Sequence, residues 1–366
     1  MKTVKVNLAE RSYRILIGAE LKNIGAALSS IALGANIMII SNQKVHKLYG
    51  KVVKDSLSKA GFDVSIVLIG DGERFKTQDS ANKIYQHCLV HKLDRHSAIL
   101  ALGGGVVGDL AGYAAANYLR GINFVQVPTT LLAQVDSSVG GKVGVNMPGG
   151  KNLIGAFYQP KLVYIDPAVL KTLPDRELSN GLAEVIKYGV IYDRKFFAYL
   201  EKNISGVLKR ERPVLENIIS RSCQIKALIV SRDEKEQDLR VILNFGHTLG
   251  HALETLTAYR AYTHGAAVAI GMIGAMKIAV DLELIEANAE ERLKTLLERA
   301  GLPVAIKPRP ISWGEFYSLL QHDKKALDDK LRFVLPLNIG RVTISDRVPV
   351  ALIQKTMAEL MARSGK

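Results

Sequence analysis

Ala98-Ile99-Leu100-Ala101-Leu102-Gly103-Gly104-Gly105-Val106-Val107-Gly108-Asp109-Leu110 reads as a buried strand, a tight turn and the start of an alanine-rich helix. Five apolar residues without a polar break are the signature of a strand covered on both faces. Gly103, Gly105 and Gly108 have the spacing and the strand-to-helix context of a dinucleotide fingerprint. Glycines there bring backbone N–H groups and a helix N-terminus against a pyrophosphate. The match departs from the usual pattern in two ways. It lies on a middle strand rather than the first, and no acidic residue follows at ~20 positions to read a ribose. A tight turn packed against the sheet is the competing reading.

Working outward, Ile37–Ile40, Val64–Ile69 and Phe124–Val127 are further continuous apolar or β-branched runs ending in turn signals, and the helical span Thr77–His91 lies between two of them. This alternation predicts a doubly wound, mainly parallel α/β sheet, whose ligands bind beyond the carboxyl ends of the strands. After Leu173-Pro174-Asp175 the period changes. Leu215, Ile218, Ile219, Ser222, Ile225 and Ile229 recur at helical spacing, as do Leu293, Leu296, Leu297 and Ala300. The expected organisation is an α/β nucleotide-binding domain over 1–172 and a mainly helical domain over 173–366. Leu331–Leu335 and Arg341–Ser345 are expected to pair as a short ribbon.

At 366 residues the chain exceeds the ~250–300 that one core serves. With 48% apolar and 23% charged residues it has the balance of a soluble globular protein. Met1–Leu8 alternates like a strand and has no apolar leader segment. Gly265–Val280 is apolar but short of the ~20 residues that span a bilayer, and contains Lys277, so it reads as a buried helix. Its small residues Gly265, Ala266, Ala267, Gly271, Gly274 and Ala275 allow close backbone approach. Cys88 and Cys223 are too few for a disulfide framework or a thiolate zinc site, pointing to a reducing cytoplasm. The formal charge of +14 is diffuse: 20 Lys and Arg against 11 Asp and Glu through Thr172, then 29 against 24. With only 6% aromatics there is no stacking platform for nucleic acid, and a cleft that gathers small anions explains the charge as well.

Three further constellations carry chemistry. Asp71-Gly72-Glu73-Arg74-Phe75-Lys76 ends an earlier strand, and its carboxylates suit ribose hydroxyls or simply form a solvated turn. Pro128-Thr129-Thr130 through Asp136 and Lys142 to Gly149-Gly150-Lys151-Asn152 combines hydroxyls, glycines and lysines suited to phosphate oxygens. His247, His251 and His264 fall within eighteen residues, and His247 and His251, four apart, share one face of a helix. Glu184, in the apolar-flanked run Gly181–Gly189, is a carboxylate that needs a partner. Two imidazoles with one carboxylate make an open zinc site, against the alternative of capping or core histidines.

Read together, these segments resemble the dehydroquinate synthase family of the sugar phosphate cyclases, from about Asp71 onward. The most specific matches are Gly103–Asp109, Pro128–Asn146, Lys151–Pro160, Gly181–Gly189 and Asn244–Glu254. The resemblance implies an N-terminal α/β nucleotide domain, a helical C-terminal domain, bound NAD, Zn²⁺ or Co²⁺, and a cytoplasmic homodimer. It implies conversion of 3-deoxy-D-arabino-heptulosonate 7-phosphate to 3-dehydroquinate and phosphate, with NAD returned unchanged. It assigns the metal to Glu184, His247 and His264, and moves His251 from ligand to substrate contact. Substrate contacts fall to Lys142, Lys151, Asn152, Lys187, Lys226, Arg240, Asn244 and His251, with Asp136 beside them and Arg120 reaching a neighbouring subunit. The nucleotide falls to Asp71, Gly72, Glu73, Arg74, Phe75, Lys76, Gly105, Val106, Val107, Gly108, Asp109, Thr129, Thr130, Lys142, Lys151, Val169, Leu170, Lys171 and Thr172. In one place the chain departs from the family: His264-Gly265-Ala266 stands where His-Gly-Glu is usual. A lost carboxylate behind a metal ligand weakens binding ~10–100-fold. The rival readings are another NAD- and metal-dependent sugar phosphate cyclase and a metal-dependent polyol dehydrogenase. A zinc peptidase is disfavoured because Thr248, not Glu, follows His247.

Overall fold

A computed structural model describes residues 1–148, 150–307, 311–325 and 331–362. Gly149, counted in the expected phosphate loop, lies outside them. The chain divides into two compact units: Met1–Leu173 with Leu215–Lys235, and Pro174–Val214 with Glu236–Lys366.

The first unit is built on a seven-stranded sheet. In chain order the strands are β1 (Lys2–Val6), β2 (Tyr13–Ile17), β3 (Asn36–Asn42), β4 (Asp63–Ile69), β5 (Ala98–Gly103), β6 (Asn123–Pro128) and, after a separate hairpin of β7 (Lys142–Met147) and β8 (Gly150–Phe157), β9 (Leu162–Ile165). Their spatial order is β1-β2-β9-β6-β5-β3-β4, parallel except for β1 against β2. The expected strands are all present. Every residue of β5 is buried, and its side chains alternate between two cores. Ile99 and Ala101 pack with Met38, Ile40, Leu110 and Phe124 on one face, whereas Leu100 and Leu102 join Ile37, Ile39, Val125 and Val127 on the other. Burying each such aliphatic side chain contributes ~1.5–3 kcal/mol, which makes an unbroken apolar run worth keeping as a strand.

The order β4-β3-β5-β6-β9 resolves the oddity of a glycine turn on a middle strand. It is the doubly wound order in which the crossover direction reverses beside the first strand, here between β3 and β5. Gly103–Gly105 therefore stands at the switch point, where such sheets open a crevice.

Two expectations need correction. The segment 128–152 is a loop only in part: its helix-compatible run 131–135 leads into a helical turn at Ala133–Ser137, as its sequence suggests, but β7 pairs antiparallel with β8, which was not expected. The boundary at 172/173 is too simple, because the segment 215–235 belongs to the first unit. Its helix, Arg212–Arg232, is fastened there by Cys223 Sγ on Gln134 O at 3.3 Å and by Lys226 Nζ on Asp136 Oδ1 at 2.6 Å.

In the second unit, helices Asp175–Ile191, His247–Leu256 and His264–Asp281 pack together. The apolar stretch is a core helix, as expected, and 78% of its most apolar window is buried. Its small residues have a use. A Cβ on Gly271 would sit 1.9 Å from Gly246 O, and the Gly265 equivalent 2.1 Å from Asn180 O, so both neighbouring helices press on bare backbone. Phe333–Asn338 and Arg341–Ser345 form the expected ribbon as β10 and β11.

Candidate active site

The first unit gathers its predicted residues at the carboxyl ends of the parallel strands. Asp71–Lys76 follows β4, with Gly72 at φ +94°; the glycine turn follows β5; Thr129 and Thr130 follow β6; and Val169–Thr172 follows β9. Gly104 precedes the helix Gly105–Asn117, and a Cβ on Gly105 would stand 3.1 Å from Ser137 Oγ, so the helix start is open only because the residue is glycine. Val107, Val169 and Leu170 have buried side chains, leaving their backbone as what a ligand meets.

Buried Lys76 donates to Asp109 Oδ2 and to Asn152 Oδ1. Asn146 extends this lattice, donating to Glu73 Oε1 at 2.7 Å and accepting the Asn152 N–H at 2.9 Å. Asn152 holds φ at +56° to make these contacts. Burial pushes the Asp109 carboxyl up, against the pull of the Lys76 ammonium. Asp109, Lys142 and Asn152 line a cavity of about 420 Å³ with Gly144, Gly155 and Phe157 of the hairpin. Lys226 donates to both the backbone oxygen and the carboxylate of Asp136. Arg120 is not gathered here: it stands at the far end of the helix that Gly105 begins, in a turn with φ +65°. Sequence reasoning missed Asn42, at the end of β3, whose side chain donates to Asp71 Oδ1 at 3.0 Å. A polar residue closing an apolar strand was the available signal.

The second unit builds its cluster from side chains. Glu184 and Lys187, both buried, lie one turn apart on the helix Asp175–Ile191. His247 and His264 each open a helix, the first after Gly246 at φ +80°, the second behind the Thr263 cap. Their Nε2 atoms lie 3.5 and 3.6 Å from the same oxygen, Glu184 Oε1. Lys187 faces the other oxygen, Oε2. These are charge contacts only, for neither carboxylate oxygen accepts a hydrogen bond. Lys187 compensates Oε2, but Oε1 faces only two imidazole nitrogens, and a cation among the three would complete it. The donor atoms of the three lie within 4.8 Å of one another, which fits a divalent ion. The exposed His251 ring centroid is 5.2 Å from that of His247 and 6.0 Å from that of His264. A second grouping, His251, Glu254 and His264, meets the same distance criterion.

Electrostatics differ across the cluster. Burial alone would raise the Glu184 carboxyl, but the Lys187 ammonium and both imidazoles hold it well below the usual carboxylate range. Burial and Lys187 push His247 well below the usual imidazole range. His264, although buried, is pushed up to about 10 by the Glu184 and Glu254 carboxylates. Arg240 is buried in the turn Leu239–Asn244, and Asn244 donates to Glu236 Oε1 at 2.9 Å. Sequence reasoning missed three polar residues: Glu236; Asn180, whose Oδ1 accepts the Gly265 N–H at 2.6 Å; and Glu254, which lies 3.2 Å from His264 Nδ1. Glu254 carried the same signal as Glu184, an acid in an apolar helix.

Residues 66–180 match the family model of the 3-dehydroquinate synthase N-terminal region, and 181–326 match that of its C-terminal region. The chain is 51% identical to a 3-dehydroquinate synthase of Microcystis aeruginosa over 358 residues, 97% of either chain. Among solved structures it is similar to 2-epi-5-epi-valiolone synthase of Streptomyces hygroscopicus subsp. jinggangensis with NAD⁺ and Zn²⁺ bound (TM-score 0.89, 26% identity, 98% and 99% covered). It is likewise similar to 2-deoxy-scyllo-inosose synthase complexed with carbaglucose-6-phosphate, NAD⁺ and Co²⁺ (TM-score 0.88, 28% identity, 98% and 100% covered).

Proposed function

The chain belongs to the 3-dehydroquinate synthase family, and from that premise we infer that it converts 3-deoxy-D-arabino-heptulosonate 7-phosphate to 3-dehydroquinate and phosphate. The reaction is a carbon–oxygen lyase step of the shikimate pathway, leading to chorismate and the aromatic amino acids. It would run in the cytoplasm, in a homodimer. The observation that carries the metal-dependent reading is the Glu184 carboxylate, buried without a hydrogen bond and faced by two imidazole nitrogens.

When bound, NAD supplies a hydride acceptor that is restored within the same turnover, and a divalent cation supplies Lewis acidity at the substrate's hydroxyls. Glu184, His247 and His264 would hold the cation. The turn Gly105–Asp109 and the Asp71–Lys76, Thr129–Thr130 and Val169–Thr172 segments would hold the nucleotide, chiefly through backbone N–H groups. Lys187, in a buried ion pair with Glu184, offers an anchor for a substrate oxygen. Lys142, Lys151, Asn152 and Lys226 in the first unit, with Asp136 orienting Lys226, and Arg240, Asn244 and His251 in the second, are the groups offered to phosphate and carboxylate. Arg120, in the turn that follows the helix Gly105–Asn117, would reach a second subunit. Lys226 and Arg240 favour an acidic substrate over glucose 6-phosphate.

The test is to supply the heptulosonate phosphate with substoichiometric NAD⁺, with and without chelator, and follow phosphate and NADH together. Chelator-sensitive phosphate in large excess over NAD⁺, without accumulating NADH, is expected. Net NADH would instead mark a polyol dehydrogenase, and no phosphate would send the assignment to a related sugar phosphate. Mass measurement in solution checks the dimer.

A further inference from the structure

The two imidazoles facing Glu184 are held by different means. His247 has its Nδ1 3.2 Å from the carbonyl oxygen of Phe245, two residues away on its own chain, and its side chain is 12% exposed. His264 is looser at 32%, and it stands at the first position of its helix, where packing alone fixes a ring poorly. Its Nδ1 meets Glu254 Oε2 at 3.2 Å, and Glu254, from the neighbouring helix His247–Leu256, is itself 6% exposed.

We propose that Glu254 is a positioning residue for the cation site: its carboxylate accepts the Nδ1–H of His264, which fixes the tautomer and turns the Nε2 lone pair toward Glu184 and His247. This rests on the reading of Glu184, His247 and His264 as ligands. An imidazole can donate from one nitrogen and coordinate through the other only when the first finds an acceptor, and a carboxylate also raises the basicity of the second. The carboxylate beside His264 thus comes from position 254 and not from 266, where this chain has alanine. The arrangement divides the labour: Glu184 neutralises the cation, Phe245 O orients one imidazole locally, and Glu254 orients the other across two helices.

The experiment uses the full chain stripped of metal. Zinc affinity is read by competition with a chromophoric chelator, the site geometry by the visible spectrum of bound Co²⁺, and folding by circular dichroism. The wild type is expected to take one ion. Glu254→Ala should bind zinc ~10–100-fold more weakly with a changed Co²⁺ spectrum, and Glu254→Gln, which keeps an oxygen acceptor but no charge, should recover most of the loss while staying a few-fold weaker. A folded Glu254→Ala with wild-type affinity and spectrum overturns the proposal; should that variant not fold, an unchanged affinity in Glu254→Gln does the same. Two ions in the wild type falling to one in Glu254→Ala also overturns it, by making Glu254 a ligand in the grouping with His251. A wild type that binds no divalent ion overturns the ligand reading itself.

Discussion

The two candidate sites, one in each unit, are made in opposite ways. In the first unit the candidate surface is built at strand ends, and charged groups there are already paired: Lys76 with Asp109 and Asn152, Lys226 with Asp136. In the second, the surface is side chains from three helices, and its central carboxylate lacks any hydrogen bond. A site whose charges are already paired is stable empty, and atoms added at its helix start spoil it. A carboxylate with Lys187 at Oε2 but only imidazole nitrogens at Oε1 is costly empty, and the site is spoiled by removed atoms.

The largest effect should follow from removing the central charge. Glu184→Gln keeps the shape, yet takes away the anion that faces both imidazoles and leaves Lys187 buried without its partner. Losing the several kcal/mol that Lewis acidity contributes lowers phosphate release by at least ~10³-fold. A variant retaining a tenth of wild-type turnover would mean that the cluster does not hold the working ion.

Metal removal comes next and separates the two halves. Zinc at ~1,000 times its dissociation constant adds ~4 kcal/mol to the folded state, so chelation should lower the thermal transition by several degrees. NAD⁺ affinity, measured by calorimetry on the chelated protein, should stay within about twofold of the loaded protein, because the nucleotide segments and the Glu184 cluster belong to different compact units. A collapse of NAD⁺ binding on chelation would break the contrast.

How far this contrast was legible depends on what each signal can encode. The parallel strands β3 to β6 were legible because burial leaves unbroken apolar runs such as 98–102, whereas β2 and β9 were not named from the sequence. The β7–β8 hairpin was not, because much of β8 is exposed and its glycines and lysines look like loop. The helix over 212–232 was legible as a helix, but an apolar stripe does not say which core will receive it. The same limit explains the histidines. Spacing put His247 and His251 on one face, whereas the partner that shares the Glu184 oxygen is His264, brought in by the start of a separate helix. Family resemblance supplied that residue; periodicity could not. Glu254 was missed although the reasoning applied to Glu184 would have found it.

A smaller effect tests the backbone side of the comparison. Gly105→Ala places a methyl group 3.1 Å from Ser137 Oγ, a tolerable contact, but on the helix start where the nucleotide should lie. Stability should change by less than about 1 kcal/mol, while NAD⁺ affinity drops roughly tenfold, equivalent to about 1.4 kcal/mol. Unchanged NAD⁺ binding would return Gly103–Gly108 to a mere tight turn.

The smallest expected effect lies at Asn180, on the same helix as Glu184. The first N–H groups of a helix have no partner within it. In His264–Asp281, Thr263 Oγ1 accepts from Ala266 and Asn180 Oδ1 accepts from Gly265, so two of them are met, one across helices. Asn180→Ala leaves the buried Gly265 N–H unmet and should cost about 1–2 kcal/mol in urea unfolding. Zinc affinity should fall by less than about tenfold, since the bare Gly265 backbone still rests on Asn180 O and keeps the two helices in register. Asn180→Asp retains the acceptor at a helix N-terminus but sets a second carboxylate against Glu177 Oε2, to which the Asn180 amide donates at 3.1 Å, so it should recover only part of the loss. If Asn180→Ala instead weakened zinc as much as Glu184→Gln, the ligand geometry would depend on the cap rather than on the close backbone contact that the small residues of this helix allow.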